Sequence, residues 1–217
     1  NTTYSYDLQG NKISMTDRNG FTTTYGYDAL NRQINEVNSL RENSIVNYNP
    51  VGKISSRTLP NGNTILYTYD AADRLIQTSD LIGVISTFAY DANSNKVSES
   101  DGNGLISIKK YDKLNRTILE RDPMGSVTSY AYNNDSKTIR ITDRTGDATL
   151  YGYDNLHRKT SITSPGGNVI NMSYDNNGNK ITITDDNGQT TAFSYDANNR
   201  LTEETYPNGT TKSYTYD

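Results

Sequence analysis

The sequence has no cysteine and a single histidine. Without thiols there is neither a disulfide framework nor a thiolate metal site, and either redox compartment suits the chain. No apolar run approaches the ~18 residues of a membrane span; the longest candidate, Leu81 to Ile85, is broken by Gly83. No segment shows a helical period, so helix is expected to be nearly absent. Hydrophobic residues reach only 32% and mean hydropathy is -0.81, too little for an ordinary compact core. Neither charge dominates. With 21 Lys and Arg against 25 Asp and Glu the net charge is -4. That leaves no polybasic patch for nucleic acid and no basic amphipathic helix for membrane insertion.

Tyrosine is what the chain has in abundance, 18 in 217 residues. These large amphipathic rings need partners, which argues against disorder and for a thin, half-wet sheet. Eleven of them stand at Tyr6, Tyr27, Tyr48, Tyr69, Tyr90, Tyr111, Tyr132, Tyr153, Tyr174, Tyr195 and Tyr216, an unbroken spacing of 21. Asp follows nine of the eleven and Asn the other two. A fixed period of this kind makes residues 1–217 one repeat array. Because it opens inside a strand and closes on another Tyr-Asp, it is expected to be part of a longer protein.

Counting each repeat from its tyrosine as zero, position +4 holds Gly10, Asn31, Gly52, Asp73, Ser94, Asn115, Ser136, His157, Gly178 and Asn199. Most of these types tolerate the left-handed backbone region. Position +14 is Gly20, Gly62, Gly83, Gly104, Gly125, Gly146, Gly167, Gly188 and Gly209, with Arg41 the one exception. Asp or Asn usually lies three residues earlier. Asp at i with Gly at i+3 marks a type I turn, which a left-handed fourth residue closes into a three-residue hairpin loop. The prolines test this independently: Pro50 is at +2, and Pro60, Pro123, Pro165 and Pro207 are at +12. All five occupy the turn corner that accepts proline.

Between the turns lie segments of strand length, strand A from +5 to +10 and strand B from +15 to +21. Strand B alternates, with an aromatic at +19 (Tyr25, Tyr67, Phe88, Tyr130, Tyr151, Phe193, Tyr214) two residues before the next repeat tyrosine. Period-2 alternation puts both rings on one face. The expected fold class is all-β: antiparallel β-hairpins, one per 21-residue repeat, joined into a curled or spiralling meander strip. Arg occupies +5 in alternate repeats (Arg32, Arg74, Arg116, Arg158, Arg200), so the true unit reads as 42 residues. An odd repeat with two such loops slips register by one residue, which exchanges faces. Either an extra bulge absorbs the slip or alternate hairpins present their tyrosines differently.

The motif Tyr-Asp-x-x-Gly/Asn-Arg/Asn, followed by Asp-x-x-Gly and a Tyr-x-Tyr-Asp return, resembles the YD repeat of the Rhs family. Tyr27–Arg32, Tyr111–Arg116 and Tyr195–Arg200 match best. That family includes bacterial Rhs toxins, the C component of insecticidal toxin complexes, and teneurins. The resemblance covers the whole chain and implies a hollow shell that encloses a toxic C-terminal segment or, in teneurins, supports adhesion. Neither a self-cleaving acidic segment nor a toxin domain is found within these residues.

No catalytic, cofactor-binding or metal site is expected. The positions singled out are the eleven tyrosines and nine glycines above, in structural roles. His157 sits in a turn slot filled elsewhere by Gly, Asn, Asp or Ser. The loops at Asp17, Asp101 and Asp185 faintly resemble calcium loops, but the turn reading accounts for the same residues. Sequons at Asn1, Asn115, Asn134, Asn171 and Asn208 follow from an Asn-, Ser- and Thr-rich composition. The tyrosine ladder reads first as cross-strand packing and second as a carbohydrate platform. The functional expectation is a non-enzymatic scaffold, secreted or at the cell surface. Its partners would be further repeats of the same parent chain, an encapsulated C-terminal toxin, or glycans or a cell-surface protein. A self-associating extracellular fibre is a further alternative, since an open strip leaves pairing edges.

Overall fold

The structure, a computed structural model, describes all 217 residues and contains strands and turns but no helix. The chain divides into two units, Asn1–Ile108 and Lys109–Asp217. In each unit every strand pairs antiparallel with the strands before and after it in sequence. Strand A covers +6 to +10, as in Lys12–Thr16 or Thr138–Thr142, and strand B covers +16 to +21, as in Thr22–Tyr27 or Val127–Tyr132. Both start one residue later than the sequence reading placed them. Positions +5 and +15 close the loops instead: the carbonyls of Asn11 and Phe21 accept from the N–H groups of Asp7 and Asp17, each at 2.9 Å.

The turns follow directly from the aspartates. In the first repeat Gly10 N–H donates to the Asp7 carbonyl at 3.1 Å. The Asp7 carboxylate accepts the N–H groups of Gln9 and Asn11 at 3.0 and 2.8 Å. A short acceptor side chain thus satisfies amides that a tight turn would otherwise leave unpaired. All ten +4 residues have positive φ, including Ser94 at 66° and His157 at 62°. Arg41 keeps the turn geometry at φ 64° although it has the Cβ that glycine lacks.

Gly83 departs from the expected loop. At φ 157° it lies outside the left-handed α region. Asp80 N–H bonds the Gly83 carbonyl at 2.9 Å, not that of residue 84. The loop tightens to Leu81 and Ile82, and the register shifts between Thr78 and Ser79.

The register question is resolved by a bulge. Ser5 pairs with Ser14 and Tyr6 with Lys12, so Ile13, at +7, has no partner. The same irregularity recurs at +7 wherever a strand B meets the following strand A. Its consequence can be counted. Ser14 lies opposite Thr24 and Thr24 opposite Val37, an advance of 23 residues across one hairpin. In the second unit Leu119 leads through Ser129 to Thr142, again 23. Against a 21-residue repeat this is an offset of two, an even number, so every tyrosine returns to the same face. Without the bulge the offset would be one and faces would alternate.

No side chain in either unit is buried. The accessible surface is 14301 Å², where a compact protein of this mass exposes about 10,000 Å². Packing is lateral, along the sheet. Strand Thr64–Tyr69 shows the pattern: Tyr67 and Tyr69 are half-buried, while Leu66 and Thr68 face outward. The face opposite the tyrosines, at positions +8, +10, +16, +18 and +20, holds no charged residue anywhere in the first unit. Hydroxyl and amide pairs link it across strands, among them Ser5–Ser14 at 2.6 Å, Asn47–Ser56 at 2.9 Å and Thr58–Thr64 at 2.9 Å.

Candidate functional surface

The Tyr-Asp turns carry the densest chemistry. In the second repeat one Asp28 oxygen accepts the N–H groups of Leu30 and Arg32 at 2.9 and 3.0 Å. The other takes both Nε and a terminal nitrogen of Arg32 at 2.7 Å. The bond from Arg32, with backbone donors behind it, holds the carboxyl below the usual carboxylate range. The guanidinium then lies 4.4 Å from the centre of the Tyr48 ring, one repeat on. Arg74, Arg116, Arg158 and Arg200 repeat this arrangement over Tyr90, Tyr132, Tyr174 and Tyr216 at 4.9, 4.6, 4.7 and 4.7 Å.

Arginine also reaches the next turn. Arg74 donates to the Asp91 carbonyl at 3.0 Å and to Ser94 Oγ at 3.1 Å. Arg116 and Arg158 likewise bond the carbonyls of Asn133 and Asp175, at 3.2 and 2.8 Å. Its planar fork serves a carboxylate, a ring face and a carbonyl at once, which an ammonium cannot do. Asn takes the same place in some of the intervening repeats. The Asn11 amide joins Asp7 at 2.9 Å to Asn31 at 2.8 Å, and Asn179 joins Asp175 to Asn199. The alternation at +5 was legible in the sequence; its role as a link between neighbouring hairpins was not.

The repeat tyrosines fasten the sheet through their hydroxyls. Tyr27 donates to the carbonyl of Lys12 at 3.0 Å, fifteen residues back. Tyr48, Tyr69, Tyr90, Tyr132, Tyr153, Tyr174, Tyr195 and Tyr216 do the same at 2.6–3.0 Å. The accepting carbonyl, at +6, lies beyond the last rung of the ladder to the following strand, which reaches only Ser14 in the first repeat. The phenol satisfies a backbone group the sheet leaves over. Partial burial raises the pKa of Tyr69, Tyr153 and Tyr195. Tyr6, the first of the row, is 58% exposed.

The second aromatic row carries lysines. Lys12 lies 4.5 Å from the Tyr25 ring and Lys159 lies 4.3 Å from that of Tyr151. Glu120 accepts from Lys109 at 2.7 Å and from Tyr130 at 3.0 Å. Lys109 lowers the Glu120 pKa, while burial and Glu120 raise that of Tyr130.

The remaining candidates lie within turns. His157 stands 3.5 Å from Asp135 of the neighbouring turn, both half-exposed. The carboxylates of Asp17, Asp101 and Asp185 are turned onto amides of their own loops at 2.8–3.0 Å. A shallow groove of about 330 Å³ between the first two Tyr-Asp turns is lined by Asp7, Gln9, Asn11, Tyr27, Asp28, Ala29 and Asn31. Its carboxylates are already engaged by the turn amides and by Asn11 and Arg32.

Comparison with known proteins adds three findings. A family model described as RHS repeat matches residues 6–40, 48–81, 134–169, 174–211 and 195–217. No curated protein matches the sequence. Among solved structures, TcdB2-TccC3-TEV aligns with a TM-score of 0.65 and 15% identity over 100% of this chain and 14% of that one. TcdB2-TccC3 without its hypervariable C-terminal region gives 0.55 and 15%, over 92% and 16%. A Photorhabdus luminescens Tc holotoxin pore with a TccC3 mutation gives 0.52 and 14%, over 94% and 18%. The chain therefore spans less than a fifth of the length of each of these.

Proposed function

Since the chain belongs to the RHS-repeat family, we propose that it is a wall segment of a β-shell that holds or presents a polypeptide in a secreted toxin complex. One observation carries this reading: each unit is a single hydrogen-bonded layer with no core of its own. A layer one strand thick is poorly suited to form a catalytic cleft but well suited to separate two compartments, because its backbone bonds leave no gap for a chain to cross. The uncharged face of the first unit, rich in hydroxyls and amides with aliphatic residues such as Val37, Ile45 and Leu66 among them, suits the enclosed side. Along the first unit such a face offers no ionic grip, whereas the same positions of the second unit carry Lys110, Arg121, Arg140 and Glu203. On this reading the fragment is not an enzyme, and its nearest partners are further repeats of the parent chain.

Limited proteolysis of the full-length parent tests the proposal. The segment following the repeats is expected to survive until the repeats themselves are cut. Cleavage as fast as that of the same segment free in solution would reject the shell. The cell-surface and glycan-binding alternative draws on the Asn- and Asp-lined groove, but those groups are already paired with one another. A glycan array on this chain separates the two readings, with no retained sugar expected.

A further inference from the structure

We propose that Asn61 and Asn208 are sites of spontaneous deamidation, converted through a succinimide to aspartate and isoaspartate. Four other Asn-Gly pairs in the chain, at Asn19, Asn103, Asn177 and Asn187, are held back by the fold. The difference originates at the turn corner. Where the corner is aspartate, its carboxylate accepts the turn amides: Asp17 takes the N–H groups of Asn19 and Phe21 at 2.8 and 2.9 Å. Asp101, Asp175 and Asp185 treat Asn103, Asn177 and Asn187 alike.

Two corners, Leu59 and Tyr206, have no acceptor, and the asparagine two residues on takes over that task. Asn61 Oδ1 accepts from Asn63 N–H at 3.0 Å. Asn208 Oδ1 accepts from Thr210 N–H at 3.0 Å and from the Thr210 hydroxyl at 2.7 Å. To reach an amide two residues ahead, the asparagine side chain must fold forward over the peptide that joins it to glycine. That turns the side-chain carbonyl toward the peptide that carries the Gly62 or Gly209 nitrogen and restricts it from swinging away, which favours ring closure. The same bonds polarise the side-chain carbonyl where negative charge develops. At all six pairs a Cβ on the glycine would meet nothing within 4 Å and the asparagine is exposed, so space and access are common to them and the side-chain bond makes the difference. The Asn187 amide instead turns to Asp186, at 3.3 Å.

The chemistry balances with water alone. The glycine nitrogen gives its proton to solvent base and forms a bond to Cγ; the side-chain nitrogen takes up a proton and leaves as ammonia. Water then opens the ring at either carbonyl. In all six pairs the glycine N–H donates to the corner carbonyl at 2.8–3.2 Å, so a brief opening of the turn precedes attack everywhere and does not discriminate. The isoaspartate product adds a methylene to the main chain at the corner and ends that turn bond.

Ageing the 217-residue chain in mildly alkaline buffer, with peptide mapping that separates aspartate from isoaspartate, tests this. Asn61 and Asn208 are expected to convert about tenfold faster than the other four, whereas in denaturant all six convert at similar rates. Leu59→Asp, which restores the corner acceptor, should slow Asn61 to the rate of Asn103 and leave Asn208 unchanged. The proposal is overturned if the native order matches the denatured order. It is equally overturned if Leu59→Asp leaves Asn61 as fast as before in a chain whose circular dichroism shows it folded.

Discussion

A single hydroxyl or Cβ has a legible cost in this sheet because so little else is buried. Tyr69→Phe removes the bond to the Ile54 carbonyl and keeps the ring. It is expected to cost about 1 kcal/mol, measured by urea unfolding. Arg41 is the informative opposite case. Its left-handed backbone strains any residue with a Cβ, and glycine fills this slot in the other repeats. Arg41→Gly should therefore stabilise the chain by roughly 1 kcal/mol. A lowered unfolding midpoint would show that the arginine side chain contributes more than its backbone costs.

At the scale of the hairpin, the bulge and the +5 side chain control how neighbours fit. Deleting Ile181 removes the unpaired residue between Ser173 and Tyr174 on the partner strand. The advance across that hairpin falls from 23 to 22 and the repeat from 21 to 20, so the offset stays even and later tyrosines keep their face. The expected outcome is a cooperative transition that survives, with a changed midpoint, read by tyrosine fluorescence. Loss of the transition would show that the bulge does more than absorb the slip. Arg116 and Lys53 occupy equivalent positions, yet only Arg116 makes the carboxylate, ring and carbonyl links described here. Arg116→Ala should thus lower the thermal midpoint more than Lys53→Ala does.

For the whole molecule, protonation sets the working range. The turn aspartates, among them Asp7, Asp28, Asp70, Asp112, Asp154 and Asp196, have pKa values below the ordinary 3.8. A depressed folded pKa stabilises above the unfolded value and is lost as pH falls through the folded one. Tyr69, Tyr153 and Tyr195 are raised above 10.0. They stabilise below that value, and the contribution disappears as pH rises through their folded pKa. Thermal melts are expected to show a plateau from about pH 4 to about pH 10 with losses on both sides. A steep dependence near neutrality would contradict it. Size matters at this scale as well. A hairpin without neighbours has neither the phenol bond behind it nor the arginine link ahead, so a two-repeat piece should be much less stable than the full array.

The period of 21, the turn chemistry, the strand positions and the aromatic face were all readable in the residues, because each rests on local stereochemistry. Aspartate three residues before a glycine makes its turn wherever it occurs, and alternation fixes a face once the chain is extended. Three features were decided only by the strands meeting. The first is the bulge at +7, where an Ile or Val, or Ser55, Thr160 and Thr202, looks like any other strand residue and shows its purpose only in the count across two ladders. The second is the arginine link, whose partners lie a full repeat away. The third is the tight loop at Leu81 and Ile82, where an intact Asp-x-x-Gly motif adopts a different turn. Local rules set what each segment prefers; pairing with neighbours set the register, and register decides which side chains touch.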